Sequence, residues 1–338
     1  MLSVVVPVRN DAERLSRCLQ SLKAQTVTGF EVLVIDDGSA DDSALIASRA
    51  GARVILQEKE GAAAARNRGI MDATGEVILF TDADCVCDAH WVERLSRPLL
   101  AGKDGAVGRC TSGQRHWVAA LVQAELDERY ACMGHHQQID FLNTGNCGFR
   151  REILLKDPFD ETFPWLEDVE LSFRLASRGY RMVYVSDAVV EHPHPQSLWR
   201  YTVRKLHYAS CAPEIYRRFP AKTFSDSRTP INRRLQLASL ALAFPVAVLS
   251  WKIGLLLLVF SIVCGIGVVA QAFSRGPGLA ILSPIMTLAG NLGFLAGTLL
   301  GIVKAVAPGR RKYHRVPTDH KTAAAQKEAA SPGRELVS

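Results

Sequence analysis

Four short apolar runs, each followed by sequence with helical spacing, constrain this chain more than any other feature. Residues 2–8, 30–35, 52–56 and 76–80 show little polar alternation, so both faces of each strand must be covered, as in a parallel sheet flanked by helices. Asn10 or Asp11 can cap a helix whose apolar stripe is Leu15, Cys18, Leu19 and Leu22. Ser39 or Asp41 can cap a second, and residues 62–72 read as a third. The resulting β-α-β-α-β-α-β order predicts a doubly wound, mostly parallel α/β sheet with right-handed crossovers.

The fourth run emerges on Thr81-Asp82-Ala83-Asp84. Carboxylates at the end of such a strand face the crevice where open α/β sheets bind ligands. Two hard oxygen donors one residue apart suit Mg²⁺ or Mn²⁺, which in turn suits a diphosphate. A dinucleotide-binding dehydrogenase needs glycines in the first βα turn so that backbone N–H groups can approach a pyrophosphate. Here that turn is Pro7-Val8-Arg9-Asn10-Asp11, without a glycine, and the dehydrogenase reading falls.

Residues 235–307 contain no Asp or Glu. Within them, 253–273 and 279–303 exceed the roughly 20 apolar residues a membrane span needs. The run 235–251 is shorter and carries Pro245, so it stays open as a third span or as a re-entrant or interfacial piece. Basic flanks (Arg228, Arg233 and Arg234 before; Arg310, Arg311, Lys312 and Arg315 after) favour two crossings with both ends in the cytoplasm. The net charge of +6 gathers in these flanks, which points to anionic lipid rather than nucleic acid. No signal peptide is expected before residue 1. The eight cysteines show no C-x-x-C spacing and are read as free thiols. Residues 318–338 have the composition of a disordered tail.

The segments VVVPVRND (4–11), VLVIDDGSADDS (32–43), GAAAARNRGI (61–70), ILFTDADC (78–85) and WLEDVELSFRL (165–175) resemble, in order, the motifs of the family 2 glycosyltransferases, inverting enzymes of the GT-A fold. The resemblance covers residues 1–195. It implies that Pro7 and Val8 pack on the base of a nucleotide-sugar, that Asp36 or Asp37 reads the base edge, and that Arg66 lies near the nucleotide. Asp82 would touch ribose and metal, and Asp84 would ligate Mg²⁺ or Mn²⁺ directly. His192, or less well His194, would complete the metal shell. Asp168 of the Glu167-Asp168 pair would be the general base, with Glu167 the next candidate. Gly145 and Asn146 would lie on the acceptor side.

Processive members of that family carry Gln-x-x-Arg-Trp. This chain has Gln196-Ser197-Leu198-Trp199-Arg200, with Trp and Arg exchanged, so transfer of a single sugar is expected, with Trp199 and Arg200 on the acceptor side. Residues 199–219 are aromatic and basic, as suits an interfacial helical segment within a 196–234 linker. The implied organisation is a transferase domain at 1–195, this linker, transmembrane helices at 235–307, and a basic then disordered tail at 308–338. The implied function is transfer from a nucleotide-diphosphate-sugar to a lipid-linked or glycan acceptor at the inner (plasma) membrane. The protein would be multi-pass with a cytoplasmic catalytic domain, serving surface polysaccharide or glycolipid assembly. A polyprenyl-phosphate sugar synthase and a non-catalytic membrane partner with a degenerate domain are the rivals.

Overall fold

The computed structural model describes residues 1–306. The first half follows the apolar runs: β1 (Leu2–Val8), α1 (Ala12–Lys23), β2 (Glu31–Asp37), α2 (Ser43–Arg49), β3 (Arg53–Gln57), α3 (Ala62–Asp72) and β4 (Val77–Thr81). These four strands pair in parallel in the order β3-β2-β1-β4. All five residues of β4 are buried, as a central strand requires. Helix α1 buries Leu15, Cys18, Leu19 and Leu22, the stripe its spacing predicts. Helix α3 lies close on β1 because Gly69 faces Val5, where any side chain would collide with the valine.

Then come β5 (Val86–Cys87), α4 (Trp91–Leu100), β6 (Gly105–Thr111), α5 (Trp117–Gly134), β7 (Asn146–Arg150), α6 (Arg151–Lys156), α7 (Glu167–Ser177) and β8 (Met182–Glu191). They complete an eight-stranded sheet in the order β3-β2-β1-β4-β7-β6-β8-β5. The sheet is mostly parallel, as expected, with two reversed strands: β7 runs antiparallel to both neighbours, and β5 antiparallel to β8. The reversal has a positional consequence. An antiparallel strand begins where its parallel neighbour ends, so Asn146 pairs with Thr81 and the turn before β7 opens onto the acidic end of β4. Phe80 meets Phe149 and Phe159 edge-on at 6.5 and 5.7 Å, closing the core beneath that point.

Helices α8 (Leu198–Arg218), α9 (Ile231–Leu249), α10 (Trp251–Cys264), α11 (Ile266–Arg275) and α12 (Pro277–Val306) follow. By length and composition alone, Trp251–Arg275 and Pro277–Ala305 are long and apolar enough to cross a membrane. The ambiguous run 235–251 falls mostly in α9, which folds back on α10.

The basic flank before these helices does not face lipid as expected. Arg233 is buried and pairs with Glu125 and Glu128 at 2.9 and 3.2 Å, and Arg234 pairs with Asp226. Arg233 thereby fastens α9 to α5, and Arg234 ties α9 to the loop that precedes it. Glu125 also accepts from Tyr201 at 2.7 Å and Lys205 at 2.9 Å, knotting α5, α8 and α9 together. Burial raises its pKa, but Lys205 and Arg233 outweigh burial and hold it well below the usual carboxylate range. The basic residues after position 306 and the tail at 318–338 lie outside the described residues.

Candidate active site

The carboxyl ends of β1, β2 and β4 meet in one crevice, and each strand delivers its polar residues there. Val8 is buried and Pro7 partly so at the end of β1. Asp37 is fully engaged: its Oδ1 accepts from Gln57 Nε2 and Glu60 N at 2.8 Å, and its Oδ2 from Gly61 N at 3.0 Å. It therefore shapes the entry to α3. Asp36 accepts from Ser39 N at 2.8 Å through one oxygen, which leaves the other for a ligand.

Arg66 organises the centre. It is 4% exposed, although on helix α3 a surface position would have been the ordinary reading. Its Nη2 donates to Asp82 Oδ1 at 3.0 Å and its Nη1 to Glu167 Oε1 at 2.7 Å, so it ties the strand-end acid to the acid opening α7. Burial works against the Arg66 charge, but Asp82, Glu167 and Asp168 outweigh it and keep the guanidinium protonated. Its Nε is buried with no hydrogen-bond partner among the described residues.

Asp168 stands in the first turn of α7, after Leu166 in the left-handed region (φ 65°). Its Oδ1 accepts from Val169 N at 2.8 Å. Burial, then the neighbouring Glu167, pushes its pKa up to about 7, with Arg228 and Arg66 opposing the rise. A half-buried carboxylate held near neutrality can take a proton from a substrate hydroxyl and return it.

Across the crevice, Asp84 Oδ1 lies 3.7 Å from His192 Nε2, and Asp84 Oδ2 lies 3.5 Å from Arg14 Nη1. Burial raises the Asp84 pKa, His192 lowers it and Asp82 raises it further, so this partly desolvated anion is left short of positive charge. Asp84, Cys85 and His192 offer ligand atoms within 4.8 Å of one another. A carboxylate with an imidazole suits Mn²⁺ or Mg²⁺. Cys85 fits less well: burial pushes its thiol far up, and Sγ donates to Gly145 O at 3.7 Å. Asp82 lies outside this cluster and faces Arg66. His194 turns away to Gln123 Oε1 at 2.9 Å, and burial pulls it down to about 3.

The residues expected on the acceptor side separate. Gly145 lines the crevice, since a Cβ there would stand 3.0 Å from Asp82 Oδ2. Asn146 does not, and this corrects the expectation. It is 0% exposed and spends its amide on Trp91 Nε1 (2.8 Å), Arg109 O (3.0 Å) and Ala188 O (2.9 Å), leaving nothing for a substrate. Trp199 is 74% exposed and Arg200 is exposed at the start of α8, and among the described residues no hydrogen bond or ion pair joins either side chain to the crevice.

The wall beside Asp168 draws instead on Trp165, at the head of the fifth motif, and on the aromatic and basic stretch 199–219. Trp165 stacks on His207 at 5.6 Å and meets Tyr208 edge-on at 5.6 Å. The Arg228 guanidinium lies 4.1 Å over the Phe141 ring, and Phe141 packs with Val169. The loop carrying Arg228 is pinned by Asp140, which accepts from Ser227 N at 2.7 Å. Arg129, Arg204 and Arg228 form no side-chain ion pair among the described residues, and burial with repulsion from Arg228 pulls Arg129 down to about 10. Arg228 lies close enough to Asp168 to oppose its rise, and Arg129 lies near Arg228; cations beside a carboxylate site favour an anionic ligand. The composition of 199–219 hinted at this for Arg204, and Arg228 stood in the basic flank that points to anionic lipid; Arg129 carried no local signal.

Residues 3–157 match the model of glycosyl transferase family 2. Among curated proteins, the chain is 30% identical over 234 residues to the pre-mycofactocin glycosyltransferase of Mycobacterium tuberculosis, covering 66% of this chain and 49% of that protein. It is 29% identical over 208 residues to glycosyltransferase AglE of Haloferax volcanii, covering 57% of this chain and 66% of that protein. The chain thus spans about half to two thirds of the length of these curated relatives. Among solved structures, a mannosyltransferase from Pyrobaculum calidifontis, determined in complex with GDP-Man and Mn²⁺, superposes with a TM-score of 0.55 at 20% identity. The match covers 89% of this chain and 86% of that one, a likeness of fold.

Proposed function

Because this chain belongs to glycosyl transferase family 2 through residues 3–157, we propose that it transfers one sugar, with inversion, from a nucleotide-diphosphate-sugar to an anionic, lipid-linked acceptor at a membrane. The observation that carries the reading is the arrangement of acids around one crevice. Arg66 joins Asp82 to Glu167, Asp84 faces His192, and Asp168 stands beside them with a pKa raised to about 7.

In this reading Pro7, Val8 and Asp36 receive the nucleoside, while Asp37 holds the surrounding loop. Asp84 and His192 would hold Mg²⁺ or Mn²⁺, and Asp82, held by Arg66, would contact the ribose. A divalent cation there supplies charge for the departing diphosphate. Arg66 fixes Asp82 and Glu167 in place. Asp168 takes the proton of the acceptor hydroxyl as its oxygen attacks the anomeric carbon. Gly145 lets the sugar approach the backbone. The charge of Arg228 beside Asp168, with Arg129 next to Arg228, supports an acceptor that carries phosphate, and the apolar helices that follow support one embedded in lipid. The same cations keep a polyprenyl-phosphate acceptor, attacking through its own phosphate oxygen, as the second reading.

The test is a screen of nucleotide-sugars for Mn²⁺-dependent hydrolysis by the detergent-purified protein, with Asp84→Ala as control. Release from one donor, lost in the variant, is the expected result. Silence across the panel, together with no donor binding by calorimetry, would leave a non-catalytic partner as the better account.

A further inference from the structure

We infer that α12 does not cross the bilayer: it lies along the membrane surface against α8, and the α9–α10 hairpin is the element that enters the lipid. The inference rests on the membrane attachment proposed above and concerns how that attachment is built.

Both ends of α12 are held to the same globular domain. At its start, Arg275 reaches Asp127 of α5 at 2.5 Å, and Met286 packs into a buried cluster with Val118, Leu121 and Tyr201. Farther on, Gly290, Gly293, Gly297 and Gly301 meet Tyr201, Thr202, Leu206 and Ser210 in that order, so α8 and α12 run parallel. The approach is backbone-close: a Cβ on Gly293 would stand 2.7 Å from Thr202 O, and one on Gly301 2.5 Å from Ser210 O. The glycines spread contact over roughly 16 Å of helix at 1.5 Å per residue.

Helix α8, in turn, is fixed to the domain near its far end. Cys211 and Ile215 pack with Phe163, Val169 and Phe173, and Arg218 pairs with Asp160 at 2.8 Å. It also carries Arg200, Arg204, Lys205 and Arg217, charges that are costly in hydrocarbon. Helix α8 therefore stays at the aqueous boundary. A helix laid along it cannot place its ends on opposite sides of a core about 30 Å thick. Length and composition make α12 a candidate span; its partner forbids the crossing.

The hairpin is different. It leaves the domain where Arg233 pairs with Glu125 and where Asn232 donates to Cys264 O at 3.1 Å. Gln236 donates to Ser261 O at 3.0 Å, and Gly254 packs on Ala247 near the turn at Ser250. Beyond Gln236 and Ser261 the outer surface presents Leu242, Phe244, Val248, Leu249, Leu256 and Val259, all exposed. Its one charge is Lys252, laid 5.9 Å from the Trp251 ring. From Ser261 to Ser250 the hairpin extends about 16 Å, the depth of one leaflet rather than two. The matching occupant of this apolar surface is a single lipid leaflet.

Seven of the eight native cysteines are buried, so the wild-type chain gives the blank for thiol labelling. Ser274→Cys and Lys304→Cys flank α12 at exposed positions, and Ser250→Cys marks the hairpin tip. Each is treated with a membrane-impermeant maleimide in inverted and in right-side-out vesicles, with an N-terminal tag reporting the side of the domain. The expected result is modification of positions 274 and 304 from the domain's side, and of 250 from neither side until detergent is added. Modification of 274 and 304 from opposite faces, protection of 304 from both, or modification of 250 from the far face would overturn the inference. Release of the chain from vesicles by alkaline carbonate would remove membrane attachment itself, while donor hydrolysis measured on the same preparation reports separately on the transferase reading.

Discussion

If Asp168 takes the acceptor proton, the rate of transfer must follow its ionisation. Its carboxyl is moved from 3.8 to about 7 by burial first and by Glu167 second. At pH 8 about ten parts in eleven are ionised, and at pH 6 about one in eleven, so kcat/KM should fall about tenfold per unit below pH 7. Glu167→Gln removes the like charge, so the acidic limb should move to lower pH. Asp168→Asn should abolish the limb and lower the rate by ~10²–10⁴-fold while donor affinity, measured by calorimetry, is retained. The same shift makes a stability statement of definite sign. The folded pKa lies above the ordinary value, so the folded state holds the proton more tightly and the ionised carboxylate weakens the fold. That penalty is absent below about pH 4, grows through the interval, and is complete above about pH 7. Asp168→Asn should therefore raise the melting temperature in detergent at pH 8 and do so less at pH 5. The assay is transfer from a labelled donor across pH 5–9, paired with thermal melts. An acidic limb near pH 4, or an Asn variant that keeps the wild-type profile, would refute the assignment.

Three further outcomes are expected. Asp84→Ala should lose activity and its dependence on added Mn²⁺ together; an active variant indifferent to the metal would move the metal site elsewhere. Arg228→Gln should raise KM for a phosphorylated acceptor by about tenfold, the scale of one charge-assisted hydrogen bond, with a smaller change for a neutral acceptor. Equal effects on both would show that Arg228 only supports the loop. Asn146→Ala strands the Trp91 indole N–H and two buried carbonyls, so denaturant melts should show a loss of roughly 2–4 kcal/mol, and a stability unchanged within error would contradict the packing described.

Much of this molecule was legible in local sequence. β-branched runs announced the central strands, the Leu15–Leu22 spacing announced the buried face of α1, and the acids of Thr81-Asp82-Ala83-Asp84 announced the crevice. These features depend on periodicity and on residues a few positions apart, which a chain expresses directly. Pairing between distant segments is not written that way. Arg66 meets Glu167 across 101 positions, and the GAAAARNRGI resemblance set it near the nucleotide without indicating that partner. Asn146 occupies a glycine-rich turn that reads as an approach path for substrate, yet β7 reverses and carries its amide inward to Trp91. Arg233 and Arg234 look like a lipid-facing flank until Glu125 and Asp226 arrive from elsewhere in the chain. So the sequence by itself determined the doubly wound half, the acidic crevice and the apolar character of the C-terminal helices. Only the tertiary structure decided which acids share Arg66, that Arg228 comes beside Asp168, and which face of α12 is covered. The reason is physical: burial and ion pairing are properties of contacts, and these contacts form between residues that local patterning leaves independent.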